Sequence, residues 1–399
     1  MSSVTISPSE GVRFGTNRTA PGARSATSGA AGLDNNANNS RKSSENGDFM
    51  RIDRWVARGV LWEHSSLSRV KKCGRVTVRP SGHVDVRKTG DAVGFAGLHT
   101  CSSVHACPVC NSKIQAVRRL EIGVAIAAAS QRGSIAFGAF TLRHNLGQDL
   151  DHLWKSLSYC FDRVTRDKTV SKLRKELGRY GYVRAQETTY GAAGWHPHSH
   201  PLVFFDREIS ARQLADLHAE EFRAWRAGAT RRNLDAPLID GQSLALVTDP
   251  SDVLGDYLAK SVFEPGKVGL EMTATQTKSG RSGSRTPWQI LRDFQTSGDL
   301  GHLATWHAWE RGSKGKRALV WGRGTKDLLG IAERDDTEIA EQEIGDANDV
   351  VLTVTDWAPV VRRPEIGAGL LAAVRVGGFA AGAAFCDWEG IPYLRGGDS

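Results

Sequence analysis

Residues 182–205 read YVRAQETTYGAAGWHPHSHPLVFF, and this stretch decides how the middle of the chain folds. Side chains alternate along Tyr182–Tyr190 and again along Trp195–Phe205, and a period of two predicts two strands. The Gly-Ala-Ala-Gly stretch between them supplies the small residues of a hairpin connection. Pro197 and Pro201 count against a central strand here, although proline is tolerated at a strand start or at a bulge. We therefore predict two strands joined in a β-hairpin.

Three histidines occupy alternate positions of that second strand. His196, His198 and His200 are separated by single residues, so a strand points all three to one face. Imidazole is the commonest metal ligand, and Glu187 lies within reach across the hairpin. We predict a divalent metal site formed by these four residues, with His196 at the strand mouth. The alternative is a histidine-rich strand end that binds no metal.

The segments around the hairpin predict an α+β domain. Ser134–Leu142 has the pattern of a buried strand, and Leu150–Leu177 shows helical spacing. A helix over Ser210–Arg226, a short strand over Ser243–Thr248 and a helix over Ser251–Phe263 follow. This β-α-β-β-α-β order with one more helix is typical of ferredoxin-like domains. We therefore expect an antiparallel sheet flanked by helices.

Four cysteines lie upstream of this domain. Cys107 and Cys110 form a tight C-x-x-C knuckle, with Cys101 six residues earlier and Cys73 further upstream. Thiolates in this order are typical of structural zinc, because Zn²⁺ takes four ligands and prefers sulfur or imidazole. The sequence therefore predicts a zinc knuckle.

Three alternatives to a four-cysteine zinc site remain open at this point. His99 or His105 can replace Cys73 as the fourth ligand. Redox chemistry is a second use of C-x-x-C, but no thioredoxin-like βαβ pattern surrounds the pair. Four unrelated buried thiols are the third alternative. Cys160 and Cys386 lie in apolar surroundings and are predicted to be core residues.

Charge and composition restrict the class of protein. The chain has 399 residues and a formal net charge of +8, which favours a polyanionic partner such as nucleic acid. The first residues lack the apolar run of a signal peptide, and Arg375 interrupts the apolar stretch Ala368–Phe385. We therefore expect a cytoplasmic protein with reduced cysteines and no membrane segment.

Composition also divides the chain into regions. Residues 1–48 are rich in Ser, Gly, Ala and Asn, which predicts a disordered tail. Residues 49–131 hold the cysteine knuckle and a basic helix that suits DNA binding. Residues 132–330 carry the histidine hairpin. An acidic linker over 331–350 and a small C-terminal region over 351–399 complete the predicted organisation.

Tyr257 and Lys260 form a candidate catalytic pair. They lie three positions apart, so a helix places them side by side. A phenol is a weak nucleophile, and a metal with an ammonium group nearby would stabilise its anion and a phosphate under attack. The alternative is a surface tyrosine beside a solvated lysine. The position of this helix, after the last strand of the histidine-bearing unit, favours the catalytic interpretation.

Taken together, these motifs resemble the replication initiator (Rep) proteins of actinobacterial rolling-circle plasmids, which belong to the HUH endonuclease superfamily. The resemblance covers roughly residues 70 to 330, with its segments in the family's order. FTLRHN matches a family motif whose role is mainly structural, so Thr141 and His144 receive no role. The matching segments are CSSVHACPVCNSKIQAVRRLEI, FTLRHN, GWHPHSHPLVFF, DYLAKS and TPWQILRDFQTSGDLGHLATWHAWERGSKGKRALVW.

The resemblance implies an HUH nickase domain over residues 132–330. His198 and His200 match its metal-binding His-x-His pair, Glu187 is in the place of its third ligand, and Mg²⁺ or Mn²⁺ suits the phosphate chemistry. Tyr257 matches the nucleophile and Lys260 the lysine one turn later.

The implied function is initiation of plasmid rolling-circle replication. The enzyme would nick one strand at the origin, leaving a 5′-phosphotyrosine link and a free 3′-hydroxyl. Its partners would be double-stranded and single-stranded origin DNA, a host helicase and a DNA polymerase. Alternatives are a mobilisation relaxase, a transposase of the same superfamily, and a non-catalytic zinc-containing DNA-binding regulator.

The chain departs from the family pattern at one position. Some relatives carry a glutamate four residues before the tyrosine, where this chain has Val253. Asp252 and Asp256 are the nearby carboxylates. The residue that supports termination is therefore unassigned.

Overall fold

The computed structural model describes residues 52–248 and 283–396, with the following helices and strands. The helices are α1 (52–64), α2 (Ser68–Lys72), α3 (Pro108–Ser130), α4 (Leu150–Arg166), α5 (Lys168–Glu176), α6 (Ala211–Arg231), α7 (Pro287–Ser297), α8 (Leu300–Ser313), α9 (Thr325–Leu328), α10 (Asp336–Glu341), α11 (Ala358–Arg362) and α12 (Glu365–Glu389). The strands are β1 (Val84–Thr89), β2 (Ala92–Ala96), β3 (Ile135–Thr141), β4 (Arg179–Gly191), β5 (Gly194–Phe205), β6 (Ser243–Leu246), β7 (Leu319–Trp321), β8 (Val350–Val354) and β9 (Tyr393–Arg395).

The predicted hairpin forms the middle of a five-stranded antiparallel sheet. Its strands run in the order β6-β3-β5-β4-β7, so β5 lies between β3 and β4. That order is the one a split βαβ unit requires. Gly194 has φ +86 at the end of the hairpin turn, a conformation that favours glycine. The prediction of an α+β fold with an antiparallel sheet flanked by helices is confirmed.

The two prolines of β5 lie where pairing with β3 fails. The β3–β5 register joins Phe137 to Leu202 and Phe140 to Ser199, with no pairs for the residues between them. Pro201 falls in this gap, and Pro197 lies beyond the last paired residue of β3. Proline has no N–H to donate, and at both positions the pairing with β3 requires no such donor.

Helices cover both faces of this sheet. Alternate residues of a strand point to opposite faces, and Val203 and Phe205 pack in a core with α4 and α6. Leu202 and Phe204 pack instead against α3. A capping box between Ser210 and Gln213 fixes the start of α6. The histidines share the even-numbered face with Leu202 and Phe204, so they lie on the α3 side.

A second sheet joins distant parts of the chain. Its order is β2-β1-β8-β9, so strands of the predicted C-terminal region pair with β1 of the cysteine-bearing region. Trp55, Val86 and Leu352 share its core with side chains of α12. Strands β8 and β9 are therefore joined through β1 to the cysteine-bearing region.

The stretch predicted to be an acidic linker is packed against the fold. Its helix α10 buries Ile339 and Ala340. Asp336 forms an ion pair at 2.7 Å with Arg118 of α3. A run of acidic residues usually faces solvent, but Asp336 instead forms an ion pair with an arginine that is largely buried.

One helix in the described ranges, α12, is long and apolar enough to cross a membrane by length and composition. Gly377 and Gly378 break its helical geometry. Leu370 and Val374 are fully buried in the core of the second sheet. The helix therefore uses part of its apolar surface in the core.

Cys386 on α12 is buried, as is Cys160 on α4, in agreement with the sequence prediction.

Candidate functional site

The hairpin register brings Glu187 and two histidines together. Glu187 lies opposite His198, and His200 follows two residues later on the same face. Oε2 of Glu187 lies 3.2 Å from Nε2 of His198 and 3.5 Å from Nε2 of His200. An octahedral ion with ligands at about 2.1 Å places neighbouring donors about 3 Å apart. The three side chains therefore have the spacing of ligands to one ion.

Backbone carbonyls orient both imidazoles. Nδ1 of His198 lies 3.1 Å from the carbonyl of His196, and Nδ1 of His200 lies 3.2 Å from the carbonyl of Gly138. A carbonyl only accepts, so each Nδ1 carries the hydrogen and each Nε2 is directed to the carboxylate. This is the arrangement that metal-binding histidines adopt in proteins.

Pro201 accounts for the free carbonyl that orients His200. It lies in the gap of the β3–β5 register, where it has no N–H to offer to β3. The carbonyl of Gly138 on β3 accepts from the histidine ring instead. The proline and the glycine therefore belong to the support of the site, although sequence reasoning gave neither a role.

The carboxylate of Glu187 is ionised at neutral pH. Burial disfavours its charge, but hydrogen bonds and positive charge from His198 and His200 outweigh burial and lower the pKa of Glu187 to about 2. A divalent ion between the carboxylate and the two Nε2 atoms would satisfy the lone pairs that they direct toward one another.

His196 lies outside this group of three ligands. Its ring stacks on that of His144 with centroids 4.8 Å apart and lies 5.1 Å from the ring of His198. Burial and the charges of His198 and His144 lower the pKa of His196 to about 4, so it is neutral at neutral pH. His144 contacts the carbonyl of Ala193 in the hairpin turn at 3.0 Å. Sequence spacing contains no signal for this histidine pair.

The four cysteines meet in a buried cluster. Cys73 Sγ lies 3.7 Å from Cys107 Sγ and 3.6 Å from Cys110 Sγ, and Cys101 Sγ lies 3.7 Å from Cys110 Sγ. A tetrahedral Zn²⁺ with bonds of about 2.3 Å sets its sulfurs about 3.8 Å apart. The cluster therefore fits a four-coordinate zinc ion.

Neither alternative histidine joins the cysteine cluster. His105 packs edge-on against Trp154 and Trp309, and burial lowers the pKa of this histidine to about 4. His99 contributes its backbone carbonyl, which accepts from the N–H of Gly74 at 2.8 Å. Among the residues of 52–248 and 283–396, the group with ligand spacing contains only the four thiols.

The cysteines are positioned by the elements on which they lie. Cys107 is the N-cap of α3, Pro108 occupies the first turn, and Cys110 follows within that turn. Hydrogen bonds from the other three thiols hold the pKa of Cys73 well below its usual range, and hydrogen bonds with Cys101, Cys110 and Cys73 raise the pKa of Cys107. Such crowding tolerates one thiolate without a metal, whereas a bound ion would stabilise all four.

The predicted catalytic pair, Tyr257 and Lys260, lies outside the described residues, as do Val253 and the predicted tail over 1–48. The strand before the pair is present as β6, which pairs with β3. After residue 282, Arg285 forms a β-bridge to Tyr190 beside the hairpin turn.

We expect Gly138→Ala to weaken both the fold and the metal site. A β-carbon on Gly138 would overlap the backbone carbonyl of Ser243 on β6, so the strand must shift. Overpacking of this kind costs about 1–3 kcal/mol. Chemical denaturation and calorimetric titration with Mn²⁺ would measure the two effects. Gly123→Ala on α3 is the control, because its β-carbon meets open space. Unchanged Mn²⁺ affinity in Gly138→Ala would show that the carbonyl of Gly138 does not support the site.

Comparison with known proteins finds a family match that covers the hairpin. The family described as "Replication protein" (Rep_1) matches residues 95–231, which contain Cys101, the C-x-x-C knuckle and the whole metal hairpin. The chain is similar to "Protein rep" of Streptomyces lividans, with 26% identity over 355 residues, covering 71% of this chain and 77% of that protein. It is also similar to "Neomycin resistance protein" of Streptomyces cyanogenus, with 28% identity over 149 residues, or 31% of this chain and 34% of that protein. No solved structure matches the chain at a significant level. The resemblance to Rep proteins is therefore confirmed, with residues 95–231 as the part that matches the replication-protein family.

Proposed function

We propose that this protein initiates rolling-circle replication of a plasmid by nicking one strand of the origin through tyrosine transesterification. The observation that carries the proposal is the meeting of Glu187, His198 and His200 within ligand distance, inside the region that matches the replication-protein family. Rep proteins act on DNA, and a chain of net charge +8 suits that partner. We propose the cytoplasm as its location, and a host helicase and DNA polymerase as its later partners.

The residues of the hairpin would hold Mg²⁺ or Mn²⁺, which supplies Lewis-acid polarisation of a phosphate oxygen when bound. The oxygen of Tyr257 would attack phosphorus, forming an O–P bond as the bond from phosphorus to the 3′ oxygen breaks. The tyrosine proton leaves and the 3′ oxygen gains one, so the products are a 5′-phosphotyrosine and a 3′-hydroxyl. Lys260 would stabilise the phenolate and the phosphate charge.

Chain connectivity supports this assignment of Tyr257. The chain enters its segment from β6 of the main sheet and returns at Arg285, beside the hairpin turn. Residue 257 follows residue 248 by nine positions, and an extended chain spans about 3.3–3.6 Å per residue. The length of this connection therefore limits how far Tyr257 can lie from the end of β6. Both ends of the segment are therefore anchored to the sheet that carries the metal ligands.

The cysteine cluster would hold structural Zn²⁺. Its four buried sulfurs have tetrahedral spacing, and its last two ligands begin the helix that packs beneath the histidine strand. We propose that the region over 49–131 also contacts origin DNA.

We expect Tyr257→Phe to eliminate nicking of supercoiled origin plasmid, because removal of the phenolic oxygen removes the atom that attacks phosphorus. Wild-type protein with Mg²⁺ should produce open circles that carry covalently bound protein. Gel electrophoresis before and after protease treatment would detect both products. Tyr159→Phe on α4 is the matched control and should nick normally.

The same assay separates the proposal from its alternatives. A non-catalytic regulator would leave the plasmid intact even as wild-type protein. A relaxase or transposase would nick a different sequence and ignore the replication origin. Normal nicking by Tyr257→Phe would show that another residue is the nucleophile.

A further inference from the structure

Arg58, on α1, is a buried cation with unsatisfied hydrogen-bond donors. The residue is 3% exposed, and its Nε and Nη2 atoms have no hydrogen-bond partner within 52–248 and 283–396. Its guanidinium lies 3.7 Å from the ring centroid of Trp55 and 5.5 Å from that of Trp62. These cation–π contacts offset only part of the hydration free energy that the guanidinium loses on burial. A buried charge without an anion is costly, so a counter-charge is expected nearby.

The guanidinium of Arg58 lies against the first cysteine of the cluster. Gly74 directly follows Cys73, and a β-carbon at Gly74 would overlap the guanidinium of Arg58. Gly74 also has φ +66, which favours glycine. Trp62 donates from Nε1 to the carbonyl of Cys73 at 2.8 Å. Arg58 therefore packs on Gly74, next to the Cys73 carbonyl that Trp62 holds.

The protonation state of the cysteines decides whether Arg58 has a counter-charge. Four neutral thiols would offer none. Four thiolates around one divalent ion carry a net charge of −2, which a guanidinium in contact with the Cys73 segment would partly neutralise. The sequence also places Lys113 three residues after Cys110, and its Nζ is held by the carbonyls of Ala340 and Gln342 rather than by a carboxylate.

We propose that Arg58 is the counter-charge of a four-thiolate complex of a divalent soft metal at Cys73, Cys101, Cys107 and Cys110. The inference rests on the zinc site of the proposed function and adds the residue that stabilises its charge. It favours four sulfur ligands over three sulfurs and a histidine, because replacing one thiolate by a neutral imidazole would halve the negative charge available to Arg58. It also disfavours redox use of the C-x-x-C pair, because oxidation to a disulfide would remove two thiolates.

The test compares metal retention in full-length Arg58→Met and Arg58→Lys proteins. Methionine keeps a long flexible side chain without charge, whereas lysine keeps the charge. We expect a chelator to remove Zn²⁺ from Arg58→Met at a concentration about 10- to 100-fold lower than from wild type, the usual effect of losing an outer-shell partner. Arg58→Lys should remain within a few-fold of wild type. Arg69→Met on α2 is the control, because its exposed side chain lies 4.0 Å from its nearest carboxylate oxygen.

The outcomes separate this inference from the proposals on which it rests. Wild-type protein without zinc by elemental analysis would overturn the zinc site itself. Zinc-loaded Arg58→Met that resists the chelator as wild type does would overturn only the role of Arg58, as would equal losses in the Met and Lys variants. If Arg58→Met does not fold, Co²⁺-loaded wild type still decides the ligand set. An absorption spectrum of four thiolates supports the inference, and one of three contradicts it. Nicking activity enters none of these readouts.

Discussion

Replacing His200 with glutamine should abolish calorimetric binding of Mn²⁺ at the hairpin and lower origin nicking by more than about 100-fold. Loss of an outer-shell partner alone costs a metal site up to about 100-fold, and His200 is proposed as a direct ligand. Its Nε2 lies 3.5 Å from the carboxylate of Glu187. Glutamine has a similar length, so strand β5 keeps its packing and the loss reports the missing imidazole.

The comparison needs a control histidine that is remote from the hairpin. His302 on α8 suits this purpose, because its Nδ1 makes a long, exposed contact of 3.4 Å with Ser297 Oγ. His302→Gln should bind Mn²⁺ and nick as wild type does. Wild-type affinity in His200→Gln would place the catalytic metal elsewhere. His196→Gln, beside the three-ligand group, should have a smaller effect than His200→Gln.

Cys107→Ser should lower the yield of folded protein severely, with a larger effect on stability than on chemistry. Structural zinc contributes about 10–16 kcal/mol of apparent binding free energy in zinc-finger peptides, as much as the whole stability of many domains. Cys107 is the N-cap of α3, and serine is itself a favoured N-cap. The helix start therefore gains from the change, and the loss must come from the metal site.

Thermal unfolding and elemental analysis would measure this effect. Cys160→Ser is the matched control, because Cys160 is equally buried but lies outside the cluster. An unsatisfied buried hydroxyl there costs about 1–3 kcal/mol, well below the loss expected at Cys107. Wild-type stability in Cys107→Ser, together with zinc-free wild-type protein, would contradict a structural metal.

The two candidate metal sites are connected through α3. Cys107 is the N-cap of this helix, and its Ile122 and Ile126 pack with Leu202 and Phe204 on the face of β5 that bears the histidines. Disturbing the cysteine cluster should therefore also disturb the support of the catalytic hairpin. We expect chelation of zinc to reduce nicking through loss of folded protein, whereas loss of Mg²⁺ reduces it without unfolding.

Local sequence was sufficient for the hairpin and its ligands. A period of two places His198 and His200 on one face, and a short Gly-rich turn sets the register that brings Glu187 opposite His198. The cysteine spacing likewise predicted a cluster that the structure brings together. Tyr257 stays a prediction from chain order and resemblance.

Only the tertiary structure revealed the groups that support these sites. Arg58 is beside Cys73, the carbonyl of Gly138 orients His200, and His144 stacks on His196, although no local pattern links the members of these pairs. The same holds for the pairing of β1 with β8, which joins residues far apart in the chain. Turn length and side-chain period are fixed by neighbouring residues, so sequence alone determined the hairpin and its ligand face. Long-range partners depend on which buried surfaces meet, so only the folded chain decided what surrounds and stabilises that face.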